Sequence, residues 1–357
     1  MDVVEDFHIK INSNETIGDG KEDAVAHFTD SSVFLWATML TYGAFSLVGT
    51  LGNLVVIVVV AANKPLHTMS QFLITQLAIG DLITLLFCMP FSVTSAYLFK
   101  SWPFGEFMCY FVAFGGCIGP SVSILTLLVM SFERYLAVVY PLKAKSFWTK
   151  GKVCLACAFI YLVSFTRALI RPILVKNYSI VYSEDDTGKG KCSSTVGSIE
   201  LIVFNAIGGV GFYCIPLLII GFCYAKIHTE IRKSIKMAAG SDDIIKKRER
   251  ATRVVFAIII LFGVMWLPIY IVTLMYVTDD IKVFGKENWF IVFVFVARIL
   301  EYGNGVVNPI FYSLLSDKFR KCLRNPACCA PGVKEGLSET SASTSKTTST
   351  TILDDKK

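Results

Sequence analysis

Seven stretches of this chain are apolar for longer than a bilayer is thick, and little else about it constrains the fold so tightly. They run over roughly 33–62, 69–98, 107–140, 151–175, 200–227, 251–277 and 288–315. A helix needs about 20 mostly apolar residues to cross the hydrocarbon core. Backbone groups cannot stay unpaired in lipid, so every stretch is expected to be helical. Each is followed by a connection that is polar or broken by Pro and Gly. The composition agrees: 17% of residues are charged, where a soluble chain averages roughly 25%. The expected fold class is an all-α membrane protein, a seven-transmembrane helix bundle.

Orientation follows from the basic residues, which concentrate in cytoplasmic connections. Lys143, Lys145, Lys150 and Lys152 follow the third stretch. Arg232, Lys233, Lys236, Lys246, Lys247, Arg248, Arg250 and Arg253 surround the connection after the fifth. Lys318, Arg320, Lys321 and Arg324 follow the seventh. The acidic tail 1–32 and Glu184-Asp185-Asp186 then lie outside, and the odd number of crossings leaves the carboxyl end in the cytoplasm. No cleavable signal peptide precedes the first stretch, which is expected to serve as signal anchor of a multi-pass plasma-membrane protein. Glycosylation patterns at Asn14 and Asn177 both fall outside in this topology.

Beyond the domain 33–315, residues 316–329 read as a short amphipathic helix on the inner membrane surface. Phe319 and Leu323 are expected to face lipid, and Lys318, Arg320 and Lys321 anionic headgroups. Cys322, Cys328 and Cys329 are candidate palmitoylation sites, with unmodified thiols as the alternative. The tail 330–357 is rich in Ser and Thr, a composition that builds no core but accepts phosphates.

Polar groups inside apolar stretches are costly and tend to mark function. Asp81 lies mid-way along the second stretch, where insertion costs about 2.5–3.5 kcal/mol. Asn53, Ser123, Asn304 and Asn308 are its candidate partners. Their oxygens suit a small hard cation, and a hydrogen-bonded packing cluster fits them equally. Trp266 stands just before Pro268 in the sixth stretch. Asn308-Pro309-Ile310-Phe311-Tyr312 closes the seventh, and the fifth carries Pro216 with Tyr224 two turns further in. Proline kinks beside polar groups suggest a bundle with two arrangements. Glu133-Arg134-Tyr135, at the end of the third stretch, is either an anchoring patch or a working one.

In this order the motifs resemble those of the rhodopsin-like (class A) G-protein-coupled receptors, over about 33–329, and most resemble the neuropeptide receptors. Asn53, Asp81, Glu133-Arg134-Tyr135, Pro216, Trp266 with Pro268, and Asn308-Pro309 through Tyr312 fall in family order. The resemblance implies that Arg134 holds the resting state and then meets a heterotrimeric G protein, with Tyr224 and Tyr312 swinging toward it. It implies that Asp81, Ser123, Asn304 and Asn308 form a pocket for an allosteric sodium ion, with no other cofactor. Trp266 would be a rotamer switch, Cys109 and Cys192 a disulfide. Arrestin and a receptor kinase would act on the tail, and membrane lipid would surround the bundle. No basic stripe with stacking aromatics suggests nucleic acid.

Several positions depart from the family pattern. Glu133 replaces the commoner Asp, and adjacent helix positions face each other poorly, so the Glu133–Arg134 latch is expected to be modest. Arg248 stands where some receptors carry a second acidic latch. Tyr161 replaces a Trp, Met265 replaces a Cys, and Pro120 is expected to bend the third span at the pocket wall.

Gly116, next to Cys117, occupies the place of the amine receptors' Asp, and no Lys lies between Trp289 and Ser316 where visual pigments hold retinal. Neither ligand is expected. Ser179-Ile180-Val181-Tyr182 and the turn-rich Asp185-Asp186-Thr187-Gly188 read as a hairpin before Cys192, typical of peptide receptors in the family, and Trp102-Pro103-Phe104-Gly105 matches the same tendency. The pocket candidates are Gly116, Cys117, Pro120, Arg171, Trp266, Arg298 and Glu301. Arg298, with Arg171, pairs an acidic part of the ligand in one reading. In the other, Arg167 and Arg171 snorkel to headgroups and Arg298 pairs only with Glu301. The expected function is a cell-surface receptor, not an enzyme, for a neuropeptide-like ligand. A small lipid-like or acidic ligand is the alternative within the class. A transporter or channel is the rival from another class, and would show paired repeats with broken helices.

Overall fold

The computed structural model describes residues 31–174, 179–182, 190–193, 199–237, 243–277, 288–315 and 317–324. Asn14, Asn177, Cys328, Cys329 and the tail 330–357 lie outside them, as do the side chains of Arg171, Arg248 and Tyr312. Seven helices are long and apolar enough to cross a membrane. The spans are Ser32–Ala62, Met69–Phe99, Gly105–Val139, Lys150–Leu174, 199–237, Asp243–Val277 and Asn288–Leu315. The fifth and sixth spans run past their expected ends at 227 and 251 because their charged extensions, rich in Lys and Arg, are good helix formers once out of the hydrocarbon.

Local chemistry sets the span ends. Ser31 Oγ accepts from Phe34 N at 3.2 Å, and Thr68 Oγ1 accepts from Gln71 N at 3.3 Å, each capping a span start. Lys100 closes the second span in the left-handed region (φ 51°), and Gly105 opens the third at φ 77°, a conformation that favours glycine. Within the spans, Thr and Ser hydroxyls turn back to the carbonyl four residues earlier, as at Thr75, Ser92, Ser131 and Thr273. This leaves no hydroxyl facing lipid unpaired at those positions.

The second span is helical throughout but not uniformly α-helical. It widens into π-helical turns at Ile83–Cys88 and Thr94–Phe99, on either side of the segment that holds Pro90. Proline lacks the amide hydrogen that an α-helix needs and clashes with the carbonyl four residues back, which a wider turn relieves. The fifth span makes the same adjustment at Val210–Cys214, just before Pro216. Pro120 and Pro268 lie inside continuous helix.

The third span is the axis of the bundle. Two-thirds of its apolar window (67%) is buried, against 22% for the first span, whose Leu40, Leu47, Leu51 and Val58 stay exposed to the lipid. Its small residues permit the close approach. At Gly119 a methyl would collide with Thr84 Oγ1 and come within 2.9 Å of the Gly80 carbonyl, the small-residue packing that membrane interfaces favour.

The expected hairpin is present: Ser179–Tyr182 pairs antiparallel with Gly190–Ser193, Ile180 opposite Cys192. Cys192 is bonded to Cys109 at the start of the third span, with Cα atoms 5.5 Å apart. Trp102 N donates to Gly190 O at 2.7 Å, and its indole Nε1 donates to Gly105 O at 2.8 Å. The loop between the second and third spans is thereby tied to the hairpin.

The surface helix forms over Asp317–Arg324, but its apolar face is not where the sequence suggested. Phe319 is 2% exposed and Cys322 is buried with it; three residues apart, they share one face and pack into the main core cluster. Only Leu323 is left exposed. Burial against the bundle removes more water from an aromatic ring than an interfacial position does, so the helix turns inward. Cys322, an acylation candidate from the sequence, is buried in this arrangement.

Candidate functional site

At the end of the bundle away from the disulfide, the third span presents Glu133-Arg134-Tyr135. Arg134 Nε lies 3.2 Å from Glu133 Oε2, with 24% and 14% of the two side chains exposed. That Nε makes no hydrogen bond in the described structure, as expected for adjacent residues that face each other poorly. The alignment comes instead from Ser70, at the start of the second span. Its hydroxyl accepts from Arg134 Nη2 at 2.5 Å and donates toward both Glu133 carboxylate oxygens at 3.4 Å. Ser70, Glu133 and Arg134 therefore form a three-residue bridge between two spans. The sequence reading missed Ser70 because nothing in the second span alone marks one serine among several.

Tyr224 on the fifth span is buried, its ring 4.9 Å from Phe256 on the sixth, and its hydroxyl has no partner among the described residues. A buried unpaired phenol is a costly arrangement, and one that a change of conformation can relieve. Tyr135 stacks on Phe132 and meets Tyr140 edge-on at 5.9 Å. Pro309 is buried beside Asn308, its ring 3.1 Å from where a methyl on Gly52 of the first span would stand.

The polar centre assembles around Asp81, which is buried. Asn308 Nδ2 donates to Asp81 Oδ2 at 2.8 Å, and Ser123 is its other hydrogen-bonding side chain. Asn53 Nδ2 ties the first span to the seventh through Gly305 O at 2.9 Å, leaving its Oδ1 unpartnered among the described residues. Asn304 does not turn to Asp81; its amide points to Met265 Sδ at 4.0 Å, the thioether that stands in place of the family's Cys. Among the described residues Asp81 pairs with no Lys or Arg. A buried carboxylate with hydroxyl and amide neighbours, an orphan amide oxygen nearby and no basic partner fits a small cation held by oxygens.

Between this centre and the disulfide lie several of the residues expected to face a ligand. Trp266 is buried, stacked on Phe262 at 5.6 Å and tilted against Tyr270 at 6.1 Å. Tyr270 stacks on Tyr213 at 4.3 Å, and Tyr213 donates to Gly263 O across the fifth and sixth spans. These contacts run from Trp266 to the widened turn of the fifth span. Arg298 is 5% exposed and pairs with Glu301 Oε2 at 2.7 Å, while its Nη2 has no partner among the described residues. Arg298 is thus neutralised on one edge and unpartnered on the other. Tyr42, Tyr97 and Tyr302 form an aromatic cluster on the neighbouring spans.

Cys117 is buried against Ile118 and Ala168, so its side chain packs the third span on the fourth; Gly116 and Pro120 are half-buried. Arg167 does not snorkel. Its guanidinium turns into the bundle, donating to Cys117 O at 3.3 Å and Ser121 Oγ at 2.8 Å.

Comparison with known proteins gives the same picture. Residues 52–312 match the family described as "7 transmembrane receptor (rhodopsin family)". The chain is 32% identical to the allatostatin-A receptor of Bombyx mori over 83% of its length and 81% of that receptor. It is 31% identical to human (Homo sapiens) galanin receptor type 1, covering 87% of each chain, and 31% identical to Rattus norvegicus somatostatin receptor type 5, covering 80% and 76%.

Proposed function

This chain belongs to the rhodopsin family of seven-transmembrane receptors, and from that premise we propose that it binds a peptide at the disulfide end and drives nucleotide exchange on a heterotrimeric G protein at the Arg134 end. It is a receptor in a membrane, not an enzyme, and the transporter reading falls with the family assignment. The observation that carries the peptide reading is the hairpin and the way it is tied down. The Cys109–Cys192 bond and the Trp102–Gly190 contact hold a two-stranded β ribbon beside the third span. The receptors named for allatostatin-A, galanin and somatostatin support the same reading.

In this proposal the amino terminus is outside, with Asn14 and Asn177 glycosylated, and the carboxyl terminus is in the cytoplasm. Arg298, through its open edge, and Trp266 face the ligand. Ligand contact at Trp266 is passed through Phe262 and the fifth-span aromatics to the latch. Release of Arg134 from Ser70 and Glu133 opens a cleft that admits the G protein, framed by the basic ends of the fifth and sixth spans. Asp81, Ser123, Asn304 and Asn308 would hold a sodium ion, which supplies charge compensation to the resting state; Asn304 would have to turn from Met265 to join them. Phosphorylation of the Ser/Thr tail by a receptor kinase makes an acidic strip for arrestin. Cys328 and Cys329 remain the acylation candidates beside membrane lipid.

The test is a screen of amidated and free-acid peptides on cells that express the chain with promiscuous G-protein reporters. A saturable response to a peptide class, lost in Arg134→Ala, is expected. Responses confined to lipids or small acids would replace the peptide by that ligand.

A further inference from the structure

Arg167 of the fourth span lies seven residues before the Leu174 end, about 10 Å along the helix. Nothing in the switch uses it, yet three spans build a slot around its guanidinium. Nη1 is held by the Cys117 carbonyl and the Ser121 hydroxyl of the third span, both buried. The guanidinium carbon lies 4.6 Å from the ring centre of Phe212 and 5.4 Å from that of Phe204, on the fifth. Gly208, between those rings in sequence, comes so close that a methyl there would lie 2.8 Å from Nη2.

The slot holds the charge without neutralising it. Both acceptors are neutral, Nε has no hydrogen-bond partner, and among the described residues no carboxylate pairs with Arg167. A guanidinium cannot shed its proton, and leaving a half-buried one unpaired is unfavourable. Arg298 differs, since Glu301 already compensates it. An arginine fork held on one edge and unpartnered at Nε matches a carboxylate, and the two aromatic faces accommodate a flat apolar group beside it.

Resting on the reading that the ligand enters at the disulfide end, we infer that Arg167 anchors a carboxylate of that ligand through its Nε edge. A lipid phosphate is the other chemical source of such an anion. Arg167 lies about 10 Å from the described end of its own span, so the lipid arm of the experiment decides between the two sources.

The purified full chain in phosphatidylcholine nanodiscs is titrated with phenylacetate and, separately, with the uncharged phenylacetamide, reading Tm. Phenylacetate is expected to raise Tm and the amide not to. Arg167→Gln raises the half-saturating phenylacetate concentration at least tenfold. Gly208→Ala keeps the charge and displaces only the flexible tip of the side chain; it weakens phenylacetate in the same direction, so a folding defect in Arg167→Gln does not decide the matter. Arg167→Lys retains a weakened response. Equal responses to acid and amide, or wild-type titration of Arg167→Gln, overturn the anchor. A rise in Tm in phosphatidylglycerol nanodiscs that needs Arg167 and blocks phenylacetate assigns the slot to a lipid headgroup and overturns it too. No peptide enters the experiment, so a chain that answers to no peptide leaves its result standing.

Discussion

Removing one hydroxyl should loosen the resting receptor. In Ser70→Ala, Arg134 Nη2 loses its 2.5 Å acceptor and Glu133 loses a donor 3.4 Å from each oxygen. A hydrogen bond to a charged group contributes about 1.5–3 kcal/mol. Both side chains are partly open to water, 24% and 14% exposed, and water replaces part of what is lost, so about 1 kcal/mol is a fair measure. If Arg134 leaves this bridge on activation, the whole loss falls on the resting state, and 1.4 kcal/mol is a factor of ten. Basal nucleotide exchange should therefore rise about fivefold, with little change in the fully stimulated rate. The assay is GTPγS uptake by a heterotrimer beside purified receptor, with no ligand. Glu133→Gln should raise it by a similar factor. The double substitution should add less than the sum, since both remove one shared bridge. Basal exchange unchanged in Ser70→Ala while Glu133→Gln raises it would refute the bridge and leave the acid as the only latch.

Other consequences are as direct. Phe319→Ala removes a ring that is 2% exposed and should cost about 3–5 kcal/mol, seen as a lower Tm and lower surface expression; a harmless substitution would return the surface helix to the lipid. Gly119→Ala drives a methyl into Thr84 and the Gly80 carbonyl, and should destabilise by about 1–3 kcal/mol, which Thr84→Ser, by shrinking the neighbour, does not fully rescue. Asp81→Asn should abolish any difference in agonist affinity between sodium and potassium buffers of equal ionic strength. A sodium effect that persists in that variant places the ion elsewhere.

The parts of the fold that were legible are those governed by one segment at a time. Each span needed only its own apolar run, and each lies close to its expected position. The Cys109–Cys192 bond was legible because the family motifs located it, and the hairpin because a β-prone run followed by turn residues marks it. What the sequence hid depends on two segments meeting. Ser70 matters only because the third span brings Glu133 and Arg134 to it. Phe319 reads as lipid-facing until the bundle is seen to offer a drier place. Arg167 carries the long aliphatic stem of a snorkelling residue, and its inward turn follows from the space that Gly208 leaves. The π-helical turns in the second span have a local cause in Pro90, which could have been flagged. Asn304 turned to Met265 rather than Asp81, a choice between two partners that spacing does not decide.

The most direct test of the account places the purified receptor in nanodiscs with a panel of heterotrimers covering every Gα class and follows nucleotide exchange. The wild-type chain is expected to accelerate exchange on at least one heterotrimer, Ser70→Ala to accelerate it further without ligand, and Arg134→Ala not at all. Exchange no faster than on the heterotrimer alone, in wild type, in Ser70→Ala and with every peptide tried, would contradict it.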